Sequence, residues 1–149
     1  YFPSDYFKNL KFFYFDENSL IEHETKKKFN DCIYGKNNSK ETIEKIKMEA
    51  TEMIKEIMGS DLMEIILYGS CARGDYTDDS DIDIALLLKC SRMEAKKYDD
   101  ALAEISTVFA IKYFAIVNFV SLPYGEFTEK RTWYRYFKNI DKEGEVLYG

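Results

Sequence analysis

Two apolar runs joined by a short polar segment constrain the fold of this chain more than any other feature. The runs cover 62–68 and 82–88, and each has the length and content of a buried strand. The segment between them begins with Gly69 and Ser70, where small residues let backbone N–H groups approach an anionic ligand. It ends with Asp81 and Asp83, which the period of two in a strand places on one face. The sequence therefore predicts a functional site between two strands.

The side chains of this segment are those that bind phosphate and a divalent metal ion. Arg73, three positions after Ser70, can offer a forked cation to phosphate oxygens. Two carboxylates on a rigid strand suit Mg²⁺, which completes its coordination shell with water and substrate phosphates. An acidic surface turn is the ordinary interpretation of Asp-x-Asp alone, since carboxylate pairs are common on protein surfaces. The combination with Gly69, Ser70 and Arg73 favours the functional interpretation.

The same combination resembles the minimal nucleotidyltransferases of the DNA polymerase β superfamily. The resemblance lies in Gly69–Ser70, ten intervening residues, Asp81-x-Asp83 and the Ala-Arg-Gly at 72–74, and it covers about 40–149. It implies the nucleotidyltransferase fold, an α+β fold with a small mixed β-sheet and helices packed mainly on one face. It also implies that Gly69 and Ser70 hold a triphosphate, that Arg73 helps with its outer phosphates, and that Asp81 and Asp83 bind two Mg²⁺ ions.

One position departs from the family pattern. The family usually supplies a third carboxylate from the strand that 113–120 would form, and the best-placed residue here is Asn118. An amide can ligate through its carbonyl, but it carries no charge and cannot act as a base. Three explanations stay open: the acceptor needs little activation, Glu126 or Asp75 substitutes, or the domain binds nucleotide with weak turnover. Asn118 as a buried strand residue without a catalytic role is the structural alternative.

The resemblance also predicts the reaction and the partner. We expect transfer of a nucleoside monophosphate, AMP from ATP, to a protein or small-molecule acceptor with release of pyrophosphate. Minimal members of the family often work with a separately encoded helical HEPN protein in toxin–antitoxin pairs, so such a partner is expected here. The alternatives are a catalytically weakened nucleotide-binding module that acts by binding a partner, and a plain interaction domain.

Composition limits the other function classes. At 149 residues the chain has the size of one domain, and its net charge of −6 argues against a long nucleic-acid surface. The three cysteines form no C-x-x-C pair, which fits a reducing compartment. The sequence contains neither a signal peptide pattern nor an apolar run that could cross a bilayer. We therefore expect a cytoplasmic protein.

The first 37 residues differ from the rest of the chain. Eight of the first fifteen residues are aromatic, so this segment is predicted to pack on the domain or to contact a partner. A stacking platform for nucleobases is the sharper alternative. His23 has no neighbouring Cys or second His, which argues against a metal site there. The prediction is an aromatic extension over 1–37 and a nucleotidyltransferase domain over 38–149.

Periodicity predicts the remaining elements. Asn38 and Glu41 resemble a capping box that starts a helix closed by Gly59, and Ser91 starts a second helix. The residues 113–120 predict a strand, and 125–138 predict a last helix with Trp133 partly buried. The order helix, strand, Gly-Ser turn, strand, helix, strand, helix suits a small mixed sheet.

Overall fold

The computed structural model describes residues 39–149. The predictions for the aromatic extension, for His23 and for the boundary at 37 lie outside these residues. No helix within 39–149 is both long enough and apolar enough to cross a bilayer. The described elements, in chain order, are α1 (Lys40–Met58), β1 (Leu62–Tyr68), α2 (Ser70–Arg73), β2 (Ile82–Leu88), α3 (Arg92–Ala95), α4 (Asp99–Tyr113), β3 (Val117–Pro123), α5 (Tyr124–Lys130), α6 (Arg135–Glu143) and β4 (Glu145–Tyr148).

The sheet is mixed and has four strands in the order β3-β2-β1-β4. β1 pairs antiparallel with β2 on one side and with β4 on the other, whereas β2 and β3 are parallel. The antiparallel register places Tyr68 opposite Asp83, and the parallel register places Asp83 opposite Asn118. The C-terminal end of β1 and the N-terminal ends of β2 and β3 therefore lie next to one another at the same end of the sheet.

The core follows from the alternation of side chains along the strands. One face of the sheet packs against α1 and α4 through residues such as Ile65, Ile84 and Phe109, all of which are fully buried. The predicted mixed α/β fold with a small mixed sheet is confirmed. The opposite face is covered by the shorter α5 and α6, whose Phe127 and Phe137 rings pack 5.5 Å apart over Leu87.

Three predicted boundaries differ from the structure. The side chain of Ser39 caps α1 by accepting a hydrogen bond from the Thr42 N–H at 3.1 Å, whereas the predicted cap, Asn38, lies outside the described residues. The strand predicted over 113–120 begins only at Val117, because α4 continues to Tyr113 and closes at Phe114 with a left-handed φ of 52°. The single helix predicted over 125–138 is two helices.

The break between α5 and α6 changes the environment of the only tryptophan. Trp133 lies in the connection between the two helices and is 66% exposed, so its predicted partial burial is wrong. By contrast, the Ser91 cap is confirmed, since the Ser91 and Glu94 side chains form a complete capping box. Gly59 closes α1 as predicted, with a φ of 51°.

Candidate active site

Gly69 brings the end of β1 into contact with the start of β2. Its backbone has φ 76° and ψ −158°, a conformation open essentially to glycine alone, and the short helix α2 begins at the next residue, Ser70. A Cβ built on Gly69 would lie 2.9 Å from Oδ2 of Asp83. The Asp83 carboxylate therefore packs directly against Gly69. The predicted phosphate-binding turn and the predicted metal-binding carboxylates thus lie side by side.

Asp81 and Asp83 point to the same side, as the period of two predicted. A single nitrogen, Nδ2 of Asn118, donates to Oδ2 of Asp81 at 3.1 Å and to Oδ1 of Asp83 at 3.2 Å. The parallel pairing of β2 with β3 positions this amide, because it sets Asn118 opposite Asp83. Asn118 is exposed, so the alternative of a buried strand residue is wrong, and its amide bridges the two carboxylates.

The environment of Asp83 favours binding of a positive charge. Partial burial raises the pKa of the Asp83 carboxyl, the hydrogen bond from Asn118 lowers it, and the negative charge of Asp81 raises it further. A divalent cation beside both carboxylates would remove the repulsion between them. A bound cation would therefore stabilise the ionised forms of both carboxylates.

The donor set fits magnesium. Two carboxylates that can be bridged by one atom present hard oxygen ligands on one side of the sheet, and Mg²⁺ is usually bound by one or two carboxylates together with substrate phosphates. Within 39–149, no group of three or more His, Cys, Asp or Glu side chains forms a metal cluster. Two carboxylate ligands would fill only part of the octahedral shell of Mg²⁺, and water and phosphate oxygens would fill the rest.

Arg73 lies at the C-terminal end of α2 and is held by two carboxylates. Its Nε donates to Oδ2 of Asp75 at 3.3 Å, and its Nη1 donates to Oε2 of Glu143 at 3.1 Å. These contacts raise the pKa of the guanidinium, with the Glu143 hydrogen bond as the largest cause. The sequence motif predicted Arg73 as a site residue. Its contact with Glu143 was not predicted, because Glu143 is 70 residues away in the sequence.

Tyr68 extends the site toward α6 and was not among the predicted residues. It immediately precedes Gly69, and its hydroxyl lies 2.9 Å from that of Tyr136 in α6. Burial is the largest cause of a strongly raised Tyr68 pKa, and the nearby Asp83 charge adds to it. A tyrosine at the end of an apolar run is an ordinary strand residue in sequence, so no local signal could have identified it.

The structure also tests the suggested substitutes for the missing third carboxylate. Glu126 binds Arg92 through two hydrogen bonds of 2.9 Å and follows β3, whose last residue is five positions, or about 17 Å of strand, beyond Asn118. Glu126 is therefore at the wrong end of the sheet, and the suggestion that it substitutes is wrong. Asp75 forms a salt bridge of 3.3 Å with Arg73, and the suggestion that it replaces the third carboxylate stays a prediction.

A glycine-serine turn lies against a carboxylate pair on the neighbouring strand, which is the arrangement expected of a site for a phosphorylated ligand and a divalent ion. Comparison with known proteins identifies the class further. The family model described as a nucleotidyltransferase domain matches residues 43–134, a span that includes Gly69, Ser70, Arg73, Asp81, Asp83 and Asn118. The chain belongs to this nucleotidyltransferase family.

Two curated relatives come from Methanocaldococcus jannaschii, and both are named protein adenylyltransferases. One is 32% identical over 105 residues, which cover 70% of this chain and 97% of the relative. The other is 35% identical over 78 residues, which cover 48% of this chain and 77% of the relative. The similarity therefore spans nearly the whole of the first relative and agrees with the family assignment.

Two solved structures are also similar to this chain. A nucleotidyltransferase from Sulfolobus solfataricus is 27% identical, with a TM-score of 0.42 over 73% of this chain and 87% of that one. The toxin–antitoxin MntA–HpeT structure is 20% identical, with a TM-score of 0.46 over 69% of this chain and 73% of that one.

Proposed function

We propose that this nucleotidyltransferase transfers AMP from ATP to a protein acceptor in a magnesium-dependent reaction. The observation that carries the proposal is the contact between Gly69 and the Asp83 carboxylate, because one triphosphate can then meet the turn and the carboxylate pair together. The names of the two curated relatives support adenylyl transfer to protein.

Each residue of the site has a role in this proposal. The backbone at Gly69 and the Ser70 hydroxyl bind the triphosphate, and Arg73 binds its outer phosphates. Asp81 and Asp83 hold the metal, and the bound Mg²⁺ supplies charge neutralisation at the α-phosphate and the departing pyrophosphate. The chain itself positions the reactants, which is the main requirement of phosphoryl-type transfer.

The chemical step is an in-line displacement at the α-phosphorus. The acceptor hydroxyl oxygen forms a bond to this phosphorus as the bond to the β-phosphate bridging oxygen breaks, and pyrophosphate leaves with that electron pair. The acceptor proton passes to water, because Asn118 stands in for the third carboxylate that the family resemblance leads us to expect, and its amide cannot accept a proton. The acceptor is therefore activated by position and charge rather than by a protein base.

The bridging amide also supports a second candidate function. With Asn118 donating to both carboxylates, the domain can bind a nucleotide and turn it over slowly, acting chiefly by binding a partner protein. The partner expected from the sequence resemblance is a helical HEPN protein, and it serves as the acceptor in the first function.

Labelled transfer distinguishes these functions. The chain is incubated with magnesium, ATP labelled at the α-phosphate and, as acceptor, the separately encoded HEPN protein expected as its partner. The first function predicts label on the acceptor, with a loss of orders of magnitude in Asp81→Asn or Asp83→Asn. Asp79→Asn is the matched control, since Asp79 is exposed in the same loop and should leave transfer unchanged. ATP binding without transfer supports the second function, and absence of ATP binding refutes both.

A further inference from the structure

Helix α6 lies beside residues 69–73, which form the proposed phosphate cradle, and it contacts Tyr68 just before the cradle and Arg73 at its end. Tyr136 bonds to Tyr68, which precedes Gly69, and Glu143 bonds to Arg73, which ends α2. Tyr136 and Glu143 are seven positions apart, so two helical turns place them on one side of α6. This side of α6 is therefore a wall of the candidate active site, and it lies beyond the residues 43–134 that the family model matches.

The ring of Tyr136 is held in place but remains accessible. Its hydroxyl lies 2.9 Å from the Tyr68 hydroxyl, and the two rings meet edge to face with centroids 6.1 Å apart. The Phe137 ring supports it from the helix, with centroids 5.9 Å apart. Even so, Tyr136 is 39% exposed. A fixed aromatic ring can stack on a ligand with little further loss of side-chain freedom.

The position of this ring relative to the carboxylates sets what it can bind. Tyr68 is paired with Asp83 across the antiparallel ladder, and the Asp83 charge acts on the Tyr68 hydroxyl. A nucleotide whose phosphates bind at Gly69 and Asp83 carries its base on the far side of the ribose. Every base has a flat face that can stack on an aromatic ring, and Tyr136 offers such a ring next to Tyr68.

We propose that Tyr136 is the nucleobase-stacking residue of the nucleotide site, with Tyr68 as the residue that positions it. This proposal rests on the proposed ATP substrate and adds the contact that recognises its base, since the larger ring system of a purine covers more of the tyrosine face than a pyrimidine does. Binding therefore has two separable parts, a phosphate part at Gly69 and Asp83 and a base part at Tyr136.

Calorimetric titration with two probes tests whether the phosphate part and the base part of binding are separate. Magnesium tripolyphosphate reports the phosphate part alone, and magnesium ATP reports both parts. Tyr136→Ala should weaken ATP binding about tenfold while leaving tripolyphosphate binding unchanged. Tyr136→Phe keeps the ring and should retain most of the ATP affinity. Trp133→Ala is the matched control, since Trp133 is a more exposed aromatic residue just before α6, and it should change neither titration.

The outcomes that overturn the proposal are distinct from failure of the proposed function. Equal weakening of both probes in Tyr136→Ala would mean that the tyrosine only supports the cradle through Tyr68. Unchanged ATP binding in Tyr136→Ala, or native ATP binding no tighter than tripolyphosphate, would show that no base contact exists there. If the native chain bound neither probe, the proposed function itself would fail, and the stacking role with it.

Discussion

Gly69 provides the sharpest test of the site, because a single methyl group added there meets the Asp83 carboxylate. In Gly69→Ala the new Cβ would lie 2.9 Å from Oδ2 of Asp83, whereas carbon–oxygen contacts normally lie at about 3.3 Å or more. The carboxylate must therefore move by roughly 0.4 Å, since the backbone on either side is fixed by the β1–β2 ladder. Mg²⁺ demands near-ideal ligand geometry, so a displaced ligand should weaken magnesium ATP binding at least tenfold.

The same substitution has a cost in stability that can be separated from its effect on the site. At φ 76° and ψ −158° an alanine is strained by about 1–3 kcal/mol, which corresponds to a fall in Tm of roughly 2–12 °C for a domain of this size. Gly74→Ala is the matched control, because Gly74 also has a positive φ of 84° but has no atom within 4 Å of its added Cβ.

Thermal denaturation and calorimetric titration of both variants separate the loss of stability from the loss of magnesium ATP binding. We expect both variants to lose several degrees in Tm, and only Gly69→Ala to lose magnesium ATP affinity. Native-like affinity in Gly69→Ala would refute the contact between the turn and the carboxylate pair. Equal loss of affinity in both variants would show that backbone strain, rather than displacement of Asp83, controls binding.

Three further predictions follow from the contacts of the site and the core. Asn118→Asp replaces the bridging amide with a third carboxylate, so Tm should fall by several degrees in EDTA and recover with magnesium, and labelled transfer should increase; a variant insensitive to magnesium would contradict this. Burial and the hydrogen bond that Tyr98 donates to Asp61 raise the Tyr98 pKa to about 12; the stabilisation from this hydrogen bond is present up to pH 10 and lost as pH rises from 10 through 12, so the difference in Tm between native and Tyr98→Phe should shrink across that window. The hydrogen bond from Tyr98 is also the largest cause of a lowered Asp61 pKa, so this contribution should be fully present above pH 3.8 and be lost as pH falls from 3.8 through the folded value, as acid denaturation of the same two proteins can show. Glu143→Gln removes one carboxylate from the arginine of the cradle and should strengthen tripolyphosphate binding a few-fold at low salt; weaker binding would mean that the glutamate positions the arginine for phosphate.

Local patterns were sufficient to predict the elements that carry the site. The strand before Gly69, the strand after Asp81 and the helix ending at Gly59 follow from periodicity and from turn residues, and the structure confirms all three. The glycine-serine turn and the carboxylate pair lie in one short segment, so their proximity depends on a single hairpin-like pairing of β1 with β2.

The parts that were not predicted depend on contacts between distant residues. β4 is a four-residue edge strand that begins with Glu145, and it forms only because β1 offers a free edge. Phe114 ends α4 in a left-handed conformation that its residue type does not favour, so the start of β3 was misplaced. Tyr136 and Glu143 reach the site from α6, and helical spacing shows only that they share a side, not what that side contacts.

The central claim is that the glycine-serine turn and the two aspartates bind one ligand together. Amide NMR spectra with Mn²⁺ in place of Mg²⁺ measure this directly, because the paramagnetic ion broadens resonances close to it. With ATP present, we predict broadening of the Gly69 and Ser70 backbone amides and of the Asn118 side-chain amide, and its loss in an Asp81→Asn, Asp83→Asn double variant. Broadening of Asn118 without Gly69 and Ser70, or broadening that survives the double variant, would contradict the account.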